Sequence, residues 1–246
     1  MTSSVPTDWH LQPHLRPKSF AEMALPSDLR EDLELFNDGG FKALLLVGDV
    51  GTGKTTSARI LTENFQSNGG QAILIDGTSY TGHGASKRWE TDVIKNSGAS
   101  SIFLEARKKL FILEEAHDIP DVLKNRLKTT MENNAENVSW IFCVNDAIKI
   151  NLPIRSRCTI LKFPVIKRHP KTGKLLIDKM YDMTEKEWKL ELRNASDCVA
   201  TKLKITIPDS VYDKVLNKTG NLIDIRTCLG SISKEYKRHE KTLISE

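Results

Sequence analysis

The stretch "GDVGTGKT", Gly48 to Thr55, constrains this chain more than any other. It follows the apolar run "KALLLVG" (42–48) and leads directly into "TSARILTENF", the start of an amphipathic helix. The order is therefore strand, glycine loop, helix. In the pattern G-x-x-x-x-G-K-[ST] the glycines let backbone N–H groups wrap around a phosphate, and the helix N-terminus adds partial positive charge. This assigns Gly48, Asp49, Val50, Gly51, Thr52, Gly53, Lys54, Thr55 and Thr56 to binding a nucleotide, ATP. Lys54 reaches the β- and γ-phosphates, and the Thr55 hydroxyl ligates Mg²⁺.

The rest of the chain supplies the matching scaffold. "QAILID" (71–76), "KLFILEE" (109–115), "VSWIFCVN" (138–145) and "TILKF" (159–163) are short, mostly apolar runs like the first. Such runs suit the doubly covered strands of a parallel sheet. Helices expected at 55–66, 88–96 and 120–133 complete a β-α-β rhythm. After Pro164 the texture changes: "KRHPKTGKL" (167–175) is polar and turn-rich, and the remainder of the chain is helix-like with no strong strand. The expectation is an α/β core over residues 1–164, a parallel sheet with helices on both faces, and a small helical domain over 165–246.

Composition excludes several classes. With 39% hydrophobic and 28% charged residues among 246, the chain is ordinary soluble material. No apolar run approaches the roughly 20 residues that span a bilayer, so no membrane partner is expected. "MTSSVPTDWHLQPHLRPKSF" lacks the apolar stretch of a signal peptide, which points to the cytoplasm. Cys143, Cys158, Cys198 and Cys228 show no C-x-x-C pairing, so reduced thiols are expected rather than zinc. Residues 159–246 carry 18 Lys and Arg against 12 Asp and Glu, a surplus compatible with an acidic partner or with plain solubility.

Hydrolysis needs a carboxylate near Mg²⁺ and a base for the attacking water. "LFILEEAH" offers Glu114 and Glu115 at a strand end, where adjacent residues point to opposite faces and so divide the two tasks. The usual motif has Asp where this chain has Glu114; the longer arm still reaches the metal through water. Glu115 is then the base. Asn145, at the end of "WIFCVN", can orient the water or donate to the γ-phosphate. His117 is read as structural.

These motifs, in this order, resemble the ATPase subunits of sliding-clamp loaders: replication factor C small subunits and their phage counterparts in the AAA+ superfamily. "W-x-x-x-x-x-L-R-P-K-S-F" (9–20) is similar to the box that packs near adenine, which implies a role for Arg16 and Pro17. "LKTTME" (127–132) resembles the central-helix signature, and Asn145 matches sensor 1. "SRC", Ser156 to Cys158, resembles the clamp-loader signature, and "GNLIDIRTCLGSI" (220–232) resembles sensor 2 with Arg226 as its arginine. The resemblance implies that the 165–246 domain is a lid. It also implies a ring of subunits, usually five, acting on a sliding clamp and primer–template DNA at a replication fork, in a nucleoid or a phage-infected host. The chain ends 20 residues after Arg226, short of the collar such rings usually carry, so the ring size stays open.

The helix from Pro120 carries Leu123, Leu127 and Met131 as an apolar stripe, with Lys124 and Lys128 in a row beside it. By resemblance, Lys124, Arg126 and Lys128 contact the DNA backbone; the same row would serve equally as a solvated helix face. Lys87 and Arg88 are weaker DNA candidates. The resemblance makes Arg157 an arginine acting on the neighbouring subunit's γ-phosphate, without an acidic partner in its own chain. Arg155 is expected in an internal salt bridge. Two other functions remain compatible with the residues: a different AAA+ DNA machine, such as a branch-migration motor or helicase loader, and a nucleotide-binding scaffold with little turnover.

Overall fold

The computed structural model describes residues 6, 8–37, 40–98, 108–169, 171–172, 175–177, 181, 183–218 and 222–245. Gly220 and Asn221 of the sensor-2 string, residues 1–5 and 7, and parts of the turn-rich stretch after 167 lie outside them. Two compact units account for the internal contacts: residues 31–49 with 57–163, and residues 1–30 with 50–56 and 164–246. This differs from a single cut at 164, because residues 1–30 and 50–56 group with the C-terminal segment. Contacts made across the chain, not distance along it, set the division.

The elements of the first stretch, in chain order, are α1 (Ser27–Leu35), β1 (Ala43–Val47), α2 (Lys54–Ser67), β2 (Gln71–Asp76), α3 (Ala85–Trp89), α4 (Asn96–Gly98), β3 (Lys109–Glu114), α5 (Asp121–Asn133), β4 (Val138–Val144), α6 (Leu152–Arg155) and β5 (Thr159–Lys162). The five strands form one sheet in the order β2-β3-β4-β1-β5, every pair parallel, with helices on both faces. The central strands are those of the apolar runs: every residue of β4 is buried, as are four of five in β1. Trp140 of β4 stacks on Phe111 of β3 with ring centroids 4.7 Å apart. Leu123, Leu127 and Met131 of α5 join the same core, as their spacing predicts.

Three local expectations change. β2 is an edge strand, and Leu74 within it is 66% exposed, so this apolar run is not covered on both faces. The helix expected at 88–96 begins earlier, at Ala85, where Gly84 at φ +80° supplies the left-handed residue before its first turn. It runs through a π-helical segment, Glu90–Lys95, into α4. After 164, β6 (Ile166–Arg168) and β7 (Leu175–Ile177) form an antiparallel pair where no strand is expected from the sequence. Three-residue strands are too short to leave a periodic signature.

The second unit continues with α7 (Glu185–Leu203), α8 (Asp209–Leu216) and α9 (Ile225–Ser245). Its core gathers Trp188, Leu192, Tyr212, Cys228 and Ile232 with Trp9 and Leu15 from the N-terminal segment. The buried Trp188 indole N–H donates to the Leu222 carbonyl at 2.7 Å, which satisfies both groups away from water. Arg30 and Lys202 reach Glu191 and Glu22, each at 2.5 Å, and tie residues 22 and 30 to α7.

Helix α7 starts on a capping box. The Thr184 hydroxyl accepts the Glu187 N–H at 3.2 Å, and the Glu187 carboxylate accepts the Thr184 N–H at 2.7 Å. The Thr184 N–H, and after it the Thr184 hydroxyl, donate to the Glu187 carboxylate and hold it below its ordinary range. Thr184→Ala is expected to destabilise the protein by about 1 kcal/mol, read as a lower urea midpoint with unchanged slope.

Candidate functional site

The glycine loop begins where β1 ends. The Gly48 N–H donates to the Val144 carbonyl of β4 at 3.2 Å, fixing the start of the loop to the sheet edge. Gly51 and Gly53 take φ +82° and +106°, conformations in which a side chain is strained. A Cβ on Gly51 would stand 2.9 Å from the Asp224 carboxylate, which in turn caps α9 by accepting the Thr227 N–H at 2.8 Å. Helix α2 opens at Lys54, a buried residue, so the first N–H groups of the helix face the loop.

Within the second unit a cleft of about 240 Å³ collects residues far apart in sequence. Arg16 and Pro17 form one part of its wall, Gly51 to Thr56 another, and Arg226 of α9 a third. The sequence assigns all of these to the nucleotide site; Gly48, Asp49 and Val50 lie outside the lining. Trp9, Leu15, Ile225 and Leu229 give the cleft an apolar side suited to a base, and Ala195 and Val199 of α7 extend it. The α7 pair carries no motif. Only its helical spacing of four, which puts both on one face, could have flagged it.

In the sheet unit, parallel pairing puts the C-terminal ends of β1, β4 and β3 on one edge, with Gly48, Asn145 and Glu114 following or ending them in turn. Glu114 and Asn145 are both half-buried. Glu115 corrects the strand argument: it has left β3 and adopts φ +46°, ψ +40°, a left-handed residue at the start of a 3₁₀ turn. The alternation of strand faces therefore does not apply to the pair. A left-handed turn residue, not the pleat, aims the exposed carboxylate. Its oxygen lies 3.5 Å from Nδ1 of His117, whose Nε2 is 3.8 Å from Asp118. Gly77, after β2, packs so closely on the Glu115 carbonyl that a Cβ there would clash with backbone.

The basic candidates on α5 divide. Lys124 is 4% exposed, and its ammonium donates to the carbonyls of His117 (3.2 Å) and Lys149 (3.1 Å) and to Asp121 (3.3 Å). It is a buried clamp between the loops after β3 and β4, not a DNA contact. The apolar stripe beside it holds, but the reading of Lys124 as part of an accessible basic row fails, because its side chain turns inward to carbonyls that the sequence does not place. Arg126 is exposed but lies 3.5 Å from Glu90. Lys128 is half-buried, with no ion pair among the described residues. Arg88 spends its guanidinium on the carbonyls of Ser79, Thr81 and His83.

The two arginines of "PIRSRC" exchange their expected partners. Arg157 does have an acidic partner: its Nε donates to Glu132 of α5 at 3.1 Å, and Nη2 touches the same oxygen. Arg155 has no ion pair among the described residues and reaches only the Ala147 carbonyl, at 3.4 Å. Helix α6 brings the one beside α5 and turns the other toward the loop after β4. Burial pushes the Cys158 thiol up to about 12, and its S–H points at the Ile154 carbonyl, 3.3 Å away; it is a packing group with no nucleophilic character.

A glycine loop opening a helix, on a parallel sheet whose neighbouring strands end in Glu114 and Asn145, defines a P-loop nucleotide-binding protein. Residues 44–164 match the model of the "ATPase family associated with various cellular activities (AAA)". It is similar to replication factor C small subunit 1 of Pyrobaculum islandicum, 27% identical over 155 residues, 63% of this chain and 46% of the relative. It is 31% identical to the replication factor C small subunit of Thermofilum pendens over 60% of this chain and 45% of the relative. The chain thus spans about half the length of the curated relatives it matches. Among solved structures, the replication initiator DnaA bound to AMPPCP and single-stranded DNA superposes with TM-score 0.62 at 10% identity, over 94% of this chain and 70% of that one. That likeness speaks for the fold.

Lys124→Met strips the donor from two loop carbonyls and is expected to destabilise the protein by about 2–4 kcal/mol, measured by urea unfolding. Lys128→Glu at the neighbouring position is expected to change stability by less than about 0.5 kcal/mol.

Proposed function

We propose that this chain is an ATPase subunit of a sliding-clamp loader, which uses ATP binding to grip a clamp and primer–template DNA and hydrolysis to release them. The observation that carries the reading is the cleft, where Arg16, Pro17, the loop Gly51–Thr56 and Arg226 converge. Similarity to replication factor C small subunits, spread over some 155 residues, supports the same assignment. In this reading the sheet unit is the core of the ATPase, and α7 to α9 belong to its lid. Other subunits complete a ring, in the cytoplasm or at a replication fork.

Lys54 and the N–H groups opening α2 hold the β- and γ-phosphates; Arg226, at the start of α9, reads the γ-phosphate from the lid. The donors suit Mg²⁺: the Thr55 hydroxyl and the Glu114 carboxylate are hard oxygen ligands. Bound there, the ion would neutralise charge on the β- and γ-oxygens. Glu115 takes the proton of the attacking water as oxygen bonds to the γ-phosphorus and ADP leaves, and Asn145 orients that water. Arg157 acts on the γ-phosphate held by the next subunit, an effect worth about 10³–10⁵ in turnover where such arginines are known. Arg126 and Lys128 remain for the DNA backbone, a contact that positions without reading sequence.

Glu115→Gln is expected to bind ATP normally, lose turnover, and retain clamp and primed DNA in a pull-down; wild-type turnover would remove Glu115 as base. Lys54→Ala and Arg157→Ala chains, each inactive alone, are expected to recover part of the ATPase when mixed. Such recovery requires a site shared between subunits. The clamp-loader reading itself needs ATPase stimulated by clamp plus primed DNA; stimulation by DNA alone would favour another AAA+ DNA machine.

A further inference from the structure

We propose that Glu132 is a positioning residue for Arg157, holding its guanidinium ready for the phosphate of a neighbouring subunit. The proposal rests on the trans-acting role given to Arg157 above. Glu132 stands in the last turn of α5, and Arg157 follows α6, 25 residues later. Two elements grip the guanidinium from different sides. From α5, the Glu132 carboxylate accepts Nε–H and Nη2–H through one oxygen. From α6, the Pro153 carbonyl accepts from Nη1 at 2.5 Å, and the Ser156 hydroxyl lies 3.4 Å from the same nitrogen.

Arginine carries five N–H donors in a rigid fork. With Nε and one hydrogen of Nη2 on the carboxylate, the other Nη2–H has no acceptor among the described residues. One edge is therefore anchored while the outer corner stays available. An arginine left free must give up much rotamer freedom to meet an anion in one geometry; an anchored one has already done so.

The same contacts could instead sequester the arginine until assembly. Exposure decides against that. The Arg157 side chain is 32% exposed and that of Glu132 46%, so water screens their attraction and the carboxylate orients more than it binds. A phosphate in a dry interface is the stronger anion partner and can take the outer corner without displacing the inner one.

The test is steady-state ATP turnover with primed DNA by the full chain and four variants. Glu132→Ala is expected to lower kcat about tenfold with KM for ATP unchanged, since the lost rotamer order acts on the neighbour's transition state and not on nucleotide binding. Glu132→Gln keeps an oxygen acceptor and is expected to recover most of that loss. Glu132→Ala/Arg157→Ala is expected to be no slower than Arg157→Ala. A Glu132→Ala chain as fast as wild type or faster, beside a dead Arg157→Ala, overturns the positioning role alone; normal turnover by Arg157→Ala removes the trans-acting reading beneath it. Side-chain NMR gives a readout independent of activity. The ¹⁵Nε heteronuclear NOE of Arg157 should be high in wild type and collapse in Glu132→Ala, and a mobile Nε in wild type also overturns the proposal.

Discussion

Parallel pairing of β4 with β1 on one side and β3 on the other is the constraint on which the rest of the site depends. Because all three strands run the same way, their C-terminal ends fall on one edge, and the loop leaving each strand is delivered there. β4 tolerates this central place because all seven of its residues are buried and apolar or small, with Trp140, Ile141 and Phe142 filling both faces. The Gly48–Val144 hydrogen bond then extends the ladder by one step into the glycine loop. A loop of strained glycines has little stability of its own; anchored to a rigid strand end, it can hold N–H groups in a fixed concave array.

The loops on that edge are braced by a charge placed where charge is costly. Lys124 is buried, and three oxygens from the loops after β3 and β4 and from α5 itself surround its ammonium. An ammonium without partners would be strongly unfavourable there; with three acceptors it costs little and fixes two loops at once. The 3₁₀ turns that follow Glu115 and Asp146 supply two of those oxygens, the carbonyls of His117 and Lys149. Change at Lys124 would thus be felt both in stability and in the position of the two turns it holds.

Much of this was legible in the sequence, and the exceptions share a cause. The glycine loop, the five strands and the apolar stripe of α5 are local patterns: a spacing, a short apolar run, a period of four. The inward turn of Lys124, the pairing of Arg157 with Glu132 and the edge position of β2 depend on which segments meet, and no local pattern encodes that. Lys124 and Lys128 look equivalent on a helical wheel, yet loop carbonyls claim only one of them. Glu115 departs from its expected geometry for a related reason. Strand alternation holds only while the strand lasts, and β3 ends one residue earlier at Glu114. The convergence of Arg16, Pro17 and Arg226 on the loop was legible only through family resemblance, since about 200 residues separate the outer two.

The roles proposed for Glu114, Glu115, Asn145, Arg157 and Arg226 all presuppose a γ-phosphate held at Lys54, so the whole mechanism depends on the cleft being a nucleotide site. Titration calorimetry of the wild-type chain with ATP and Mg²⁺ tests this most directly. The prediction is one saturable site per chain, lost in Gly53→Ala, whose side chain would force a φ of +106° out of range while leaving the sheet intact. A folded wild-type chain that gives a flat titration, or a Gly53→Ala chain that binds as tightly as wild type, would contradict it.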